Sequence, residues 1–368
     1  MSEYPHIPIH NPKPDATAFI DYLLGRRATH SRAPMVEYLV DDLLRKHIGT
    51  EMLGQTWTDG SGGRADRDHF FANFIDFWYR MGYDYVRYEQ GVSLPRQSLC
   101  TADTAPGAER DRSWVDEHTG AISNWDDFER YPWPKIEQFD FSTFEYIDTH
   151  LPDGLGFIVS HGGGIFENVS QLLSLEVTSY LLYDDPELVR AVTDKIGGLI
   201  AEFYEQVHSF GSIVAVLQGD DMGHKTGTMI KPDHLREYFL PWHKRFAEIA
   251  HRHNRPYFLH SCGNMVALMP DLIDDVRIDG KHSFEDIILP IEDFLGIYGD
   301  RIAALGGMDI DTLARSPVAE VRERTRQIMD RCSKVGRFAV GSGSSVASYI
   351  PVESYLAMLD EAQAWRFE

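Results

Sequence analysis

The sharpest chemical signal in this 368-residue chain is a histidine and a cysteine two positions apart, in His260-Ser-Cys-Gly263. Along an extended segment, residues two apart face the same side. An imidazole nitrogen and a thiolate can then converge on one metal ion, and zinc accepts both ligand types. The same two residues also suit a plainer role, a buried cysteine beside a hydrogen-bonded histidine. Two adjacent acids, Asp220 and Asp221, follow the apolar run Ile213-Val-Ala-Val-Leu217. One reading makes them a catalytic carboxylate and a loop cap; the other has both capping the glycine-containing turn that follows. His282 and Glu285 stand three apart, as an acid/base pair or beside a Ser283-x-x-Asp286 capping box that opens a helix. His161-Gly-Gly-Gly164 matches neither a P-loop nor GxGxxG, so it carries no nucleotide claim.

These residues sit just beyond short apolar runs. Gly156–Ser160, Ile213–Leu217, Pro256–His260, Arg301–Leu305 and Arg337–Val340 are rich in β-branched and aromatic residues. Near-continuous apolar runs of this length predict strands buried on both faces, as in a parallel sheet covered by helices. Val276–Asp279 reads as a further strand and Ala33–Val36 as the first. Amphipathic stretches over Pro186–His208, Pro232–Asn254 and Val318–Lys334 predict intervening helices. Strand, loop and helix repeated in this way imply βα units. The fold expected is a single α/β domain over residues 1–368, a (β/α)8 TIM-type barrel. It carries a helical lead-in over about 1–30 and an irregular insertion over about 90–150. In such a barrel, chemistry gathers where strands end, and five successive strands here carry polar residues at that point.

Composition narrows the partners. Lys+Arg 35 against Asp+Glu 57 leaves a net charge of −22, a surface that repels nucleic-acid phosphates and anionic lipid headgroups. No apolar run reaches the roughly 20 residues of a membrane span. Three scattered cysteines, Cys100, Cys262 and Cys332, make no disulfide framework. The N-terminal stretch lacks the basic and apolar regions of a signal peptide. A cytoplasmic protein with a small-molecule substrate, no nucleic acid and no membrane is expected.

Several phrases, in order along the chain, then become familiar: Phe77-Trp-Tyr-Arg-Met-Gly-Tyr-Asp84, Gly219-Asp-Asp-Met-Gly223, His260-Ser-Cys-Gly263, Lys281-His-Ser-Phe-Glu-Asp286 and Gly306-Gly-Met-Asp309. With them the sequence resembles the uroporphyrinogen decarboxylase superfamily, and within it the cobalamin-dependent methyltransferases. The Arg-rich segment by which true porphyrinogen decarboxylases grip their substrate is replaced here by Ala33-Pro-Met-Val-Glu-Tyr-Leu39. The resemblance implies zinc held by His260 and Cys262, and Ser344 stands where those methyltransferases place a second cysteine. Asp220, Asp221 and Glu37 are the candidate third ligands. Asp220, Asp221 and His282 are expected to act in catalysis, and Ser344, Glu37 and His161 to contact substrate. Trp114 and Trp125 are considered as walls for a methoxyaromatic donor. The function implied is methyl transfer between a small donor and a thiol or a corrinoid carried by a separate protein. A metal-independent decarboxylase of a small acid and a non-catalytic binder are the alternatives.

Overall fold

The computed structural model describes residues 3–96, 98–102, 111–115 and 118–367, without the side chains of 98, 99, 101, 102 and 111–115. Seven parallel strands form one curled sheet whose spatial order follows the chain. They are β1 (Tyr85–Glu89), β2 (Gly156–Ser160), β3 (Ile213–Gly219), β4 (Tyr257–His260), β5 (Gly280–His282), β6 (Ala303–Met308) and β7 (Phe338–Ser342). Every residue of β2, β4, β6 and β7 is buried, as strands covered on both faces require. Among the described residues, no helix is long and apolar enough to cross a membrane.

The helices used below are α1 (Ala16–Leu23), α2 (Asp42–Ile48), α3 (Arg64–Met81), α4 (Ile165–Leu173), α5 (Pro186–Val207), α6 (Leu240–Arg252) and α7 (Val318–Cys332). Helix α5 shows how local signals set these elements. Pro186 occupies its first turn, where a missing N–H costs nothing, and the Asp185 side chain accepts from the Leu188 N–H. Leu188, Val192, Ile196, Ile200 and Phe203 then recur at helical spacing and are all buried.

Three expectations need correction. The first strand, Ala33–Val36, is reduced to a parallel bridge between Met35 and Val340, followed by a second between Val40 and Val346. Eight laddered strands were expected, and among the described residues seven are formed in this sheet. Between that segment and β1 side chains make the links, one of them the Tyr85 hydroxyl, which accepts from the Glu37 N–H (2.9 Å) and donates to the Glu37 carbonyl (3.2 Å). Second, Val276 closes a π-turn, Leu272–Val276, and Arg277 takes a left-handed φ of 66°, so the strand is Gly280–His282 instead. Its three residues offer no apolar run to read. Third, the Ser283-x-x-Asp286 capping box does not form. The Asp286 N–H donates to Asp309, and the next helix begins at Ile291 behind Pro290. The insertion is also more regular than its composition suggests, with an antiparallel pair (Ser98–Ala102 and Asp111–Val115) and two helices, Trp125–Arg130 and Ser142–His150.

The bridged segment lies so close to β7 that a side chain at Gly341 has no room. A Cβ there would stand 1.7 Å from the Val36 carbonyl oxygen. The contact is with backbone hydrogen-bonded to β7 on both sides, Val36 N to Val340 O and Val340 N to Pro34 O, each 2.9 Å. Gly341→Ala is therefore expected to cost about 3 kcal/mol or more, read as a lowered urea midpoint with an unchanged slope.

Candidate metal centre and active-site cleft

At the carboxyl ends of β3 and β4 the chain turns outward and brings three unlike donors together. His260 ends β4, Cys262 lies two residues beyond it and Asp221 two residues beyond β3. One ligand atom from each lies within 4.8 Å of the others. His260 Nε2 is 3.5 Å from Cys262 Sγ and 3.4 Å from Asp221 Oδ1. Zinc bonds of about 2.3 Å to sulfur and about 2.0 Å to nitrogen and oxygen put tetrahedral ligands about 3.3–3.6 Å apart. The two distances fit that spacing. Asp221 also accepts from the Cys262 N–H at 2.8 Å, which fixes the acid against the cysteine's loop.

The neighbouring strand sets which nitrogen of His260 is free. His260 and His282 are register partners on β4 and β5, and their Nδ1 atoms lie 2.6 Å apart. His282 Nε2 meets the Ser342 carbonyl at 3.1 Å. A carbonyl only accepts, so the proton of neutral His282 is assigned to Nε2 and its Nδ1 is an acceptor. Burial, with the charges of His260 and Lys281, holds His282 well below the usual imidazole range, so it is neutral. His260 must then donate from Nδ1, and its Nε2 faces Cys262 and Asp221. In a neutral ring that nitrogen is a lone pair, the form a metal requires. Burial alone would lower the pKa of His260, but hydrogen bonds and charge from Asp221 and Cys262 outweigh it and raise it to about 9. With no metal, a proton on Nε2 holds the cluster together.

The histidine ring is also fixed from its face. Tyr38 stacks on it with centroids 4.0 Å apart and planes 16° apart, and the Arg87 guanidinium lies 3.6 Å over the same tyrosine ring. The Tyr38 hydroxyl donates to Glu89 at 2.9 Å. This packing depends on Gly219, where a Cβ would sit 2.1 Å from that hydroxyl. Ser344 Oγ lies 3.5 Å from Cys262 Sγ, and Ser283 Oγ donates to the same sulfur at 3.6 Å.

The cluster opens into a cleft of about 760 Å³ whose walls include Tyr38, Glu89, Arg96, Glu167, Asn168, Asp221, His260, Cys262 and Ser344. Burial would raise the Glu89 carboxyl, but the charge of Arg87 and hydrogen bonds from Arg87, Tyr38 and Ser160 hold it below the ordinary range. Glu167 goes the other way. Burial and the nearby acids Asp220 and Asp221 raise it to about 7.

A family model described as Uroporphyrinogen decarboxylase (URO-D) matches residues 118–365, which include Asp221, His260 and Cys262. The chain belongs to the uroporphyrinogen decarboxylase family. Among solved structures it is similar to a methyltransferase from Methanosarcina mazei, at 15% identity and TM-score 0.68, over 96% of this chain and 99% of that one. It is also similar to a protein described as a candidate vitamin-B12-independent methionine synthase of Listeria monocytogenes, at 12% identity and TM-score 0.48, over 90% and 97%. No curated protein matches the sequence.

Within this uroporphyrinogen decarboxylase fold, the structure brings together His260, Cys262, Asp221 and Ser344, with His282 behind them. It does not bring Asp220, Glu37 or His161 to the cleft. The Asp220 carboxylate is consumed at the start of α4, where it accepts from the Phe166 and Glu167 N–H groups (3.0 and 2.9 Å), and by His243 Nε2 at 2.8 Å. His161 is a fastener: its Nε2 accepts from the Val92 N–H at 2.9 Å, so Nδ1 donates to the Gly163 carbonyl at 3.0 Å. Burial pushes it down to about 4 and keeps it uncharged. Trp125 lies exposed, donating to Asp185, and the Trp114 side chain lies outside the described residues. Tyr38, Glu89 and Glu167 went unread. Glu167 alone left a signal, as the third residue after Gly164 at a helix start.

Glu37 stands behind the wall. It accepts from the Ser342 N–H at 3.0 Å and is hydrogen-bonded to the Ser342 hydroxyl, which in turn reaches the Ser344 carbonyl at 2.6 Å. The serine has one proton to give. If it donates to Ser344, Glu37 must supply the other proton, and burial indeed pushes Glu37 up to about 8. An unfolded glutamate titrates near pH 4.3. The folded chain therefore holds an extra proton between these values; its stability is full below about pH 4.3 and falls as pH rises towards 8, by up to roughly 5 kcal/mol. Glu37→Gln keeps the donor and loses the titration. Urea unfolding from pH 5 to 8 is expected to show a markedly flatter decline in the variant.

Proposed function

We propose that this chain is a metal-assisted methyltransferase in which His260, Cys262 and Asp221 hold a zinc ion. The methyl group passes between a small donor and a soft acceptor, either a thiol or the corrinoid of a separate protein. The observation that carries this reading is the convergence of nitrogen, sulfur and carboxylate oxygen at one strand edge, with His282 fixing the coordinating nitrogen. Zinc held by three protein ligands keeps a fourth position open and supplies a Lewis acid there. Ser344 suits that open position, because a neutral hydroxyl beside Cys262 competes poorly where a thiolate would close the site.

The remaining roles belong to the chain's own side chains. Tyr38 and His282 keep the His260 ring from rotating, one by stacking and one by hydrogen bonding. Glu167, held near neutrality, takes the proton released by an incoming thiol or hydroxyl. The cleft wall sets Asp221, Glu89 and Glu167 against the cation Arg96. That balance disfavours a substrate with many carboxylates and argues against decarboxylation of a porphyrinogen. The fold shared with the Methanosarcina mazei methyltransferase supports the same branch of the family.

Protein purified without chelators is expected to carry about one zinc per chain, and Cys262→Ala or His260→Ala to lose most of it. Cobalt(II) in place of zinc should give an intense thiolate-to-metal charge-transfer band that vanishes in Cys262→Ser. Wild-type protein that retains no metal and shows no such band would overturn the proposal. His282→Phe removes the acceptor for His260 Nδ1 while leaving every ligand in place. It is expected to weaken zinc about 10- to 100-fold in chelator competition.

A further inference from the structure

Lys281 is the middle residue of β5, between Gly280 and His282. Alternation along the strand sends its side chain to the side opposite His282, into a small pocket whose walls include Met269, Phe284, Leu289 and Phe294. It is only 8% exposed. Its ammonium donates to the Ser283 carbonyl and lies 4.7 Å from the centre of the Phe284 ring. Both hold the group in place, and neither carries a charge that neutralises it. Among the described residues Lys281 forms no salt bridge. A lysine at this depth is almost always paired with an acid, so its charge must be offset from further away.

The anions that act on it belong to the metal centre and its edge. Burial lowers the ammonium to about 8, against the opposing charges of Cys262, Glu285 and Asp221, so it is charged at neutral pH. Ser283 joins it to the sulfur: the serine carbonyl accepts from Lys281, and the hydroxyl donates to Cys262 Sγ at 3.6 Å. Lys281 acts on the site in turn, since its charge helps keep His282 neutral. Glu285 accepts from the Gly263 N–H at 3.2 Å and is part-exposed, so water screens its charge. A divalent ion held by one thiolate, one carboxylate and a neutral imidazole has no net charge of its own. The buried lysine is then in excess, and an anion in the open fourth position would balance it.

We propose that Lys281 is the counter-charge for an anion bound at the open position beside Cys262 and Asp221. The inference rests on the metal reading above and gives the incoming group its charge state: a thiol or hydroxyl binds deprotonated, its proton passing to Glu167. Lys281 is a positioning residue in this, acting through its charge and through Ser283.

The test uses the full chain loaded with cobalt(II), whose visible bands report what enters the fourth position. Thiocyanate is the anionic probe and pyridine the neutral one. Lys281→Met suits the apolar pocket and removes the charge. It is expected to weaken thiocyanate at least about tenfold and pyridine less than about twofold. Glu285→Gln keeps an acceptor for the Gly263 N–H and removes an opposing charge. It is expected to tighten thiocyanate about two- to threefold, a gain that a damaged fold cannot give. Each variant is checked for folding by circular dichroism and for cobalt content; where Lys281→Met does not fold, Glu285→Gln decides alone. Equal losses of the two probes, thiocyanate affinity indifferent to both substitutions, or wild-type cobalt protein that takes no thiocyanate sinks the inference and leaves the metal reading standing. Wild-type protein that takes up no cobalt sinks both, so the two failures are told apart.

Discussion

The cleft depends on one contact, the 2.6 Å approach of two imidazoles across neighbouring strands. Two Nδ1 atoms at that distance cannot both carry a proton, nor can both lack one. The Ser342 carbonyl on the far side of His282 decides between the alternatives, because it can only accept. From that choice follow the tautomer of His260, the direction of its free nitrogen and the face on which sulfur and carboxylate collect. A backbone carbonyl on β7 thus determines which nitrogen of His260 at the end of β4 faces Cys262 and Asp221, with one neutral ring between them. Both rings are buried, so water does not compete for the bond and the orientation is rigid.

Around this line the fold uses ionisable groups in two ways. Some are spent on architecture: Asp220 at the start of α4, Glu37 beneath the Ser344 loop and His161 between two loops. Others stay at the water edge, namely Asp221, Cys262 and Glu167. The division follows depth. A carboxylate with no solvent must be fully bonded or protonated. Asp220 takes the first course, with three partners, and Glu37 the second. Glu167, partly open to the cleft, is left between the two, near the pH at which proton transfer is most efficient.

Much of the architecture was legible in the sequence, and the reasons are specific. Ile213–Leu217 and Arg337–Val340 announced themselves because strands buried on both faces need unbroken apolar runs. Gly280–His282 did not, since its middle residue is a lysine whose charge is accommodated by the Ser283 carbonyl and by a phenylalanine ring. Ala33–Val36 was over-read, because composition favours a strand while the backbone keeps only a bridge. At the site, spacing was enough to pair His260 with Cys262. It could not separate Asp220 from Asp221, since adjacent side chains leave a strand end on opposite sides and only coordinates show which meets the cleft. Tyr38 and Glu89 were invisible for a related reason: their role arises from contacts between strands far apart in the chain.

The phenol of Tyr85 has a consequence of its own. Elsewhere neighbouring strands are stitched by repeated amide bonds, but between β1 and the 33–40 segment side chains span the interval, the Tyr85 hydroxyl at Glu37 and the Tyr38 hydroxyl at Glu89. A joint of that kind rests on a few side-chain contacts, the Arg87 guanidinium over Tyr38 among them, in place of a ladder. Tyr38, the residue next along, lies between His260 on one face and Arg87 on the other. Any change along this seam would therefore be felt by the ring that stacks on His260.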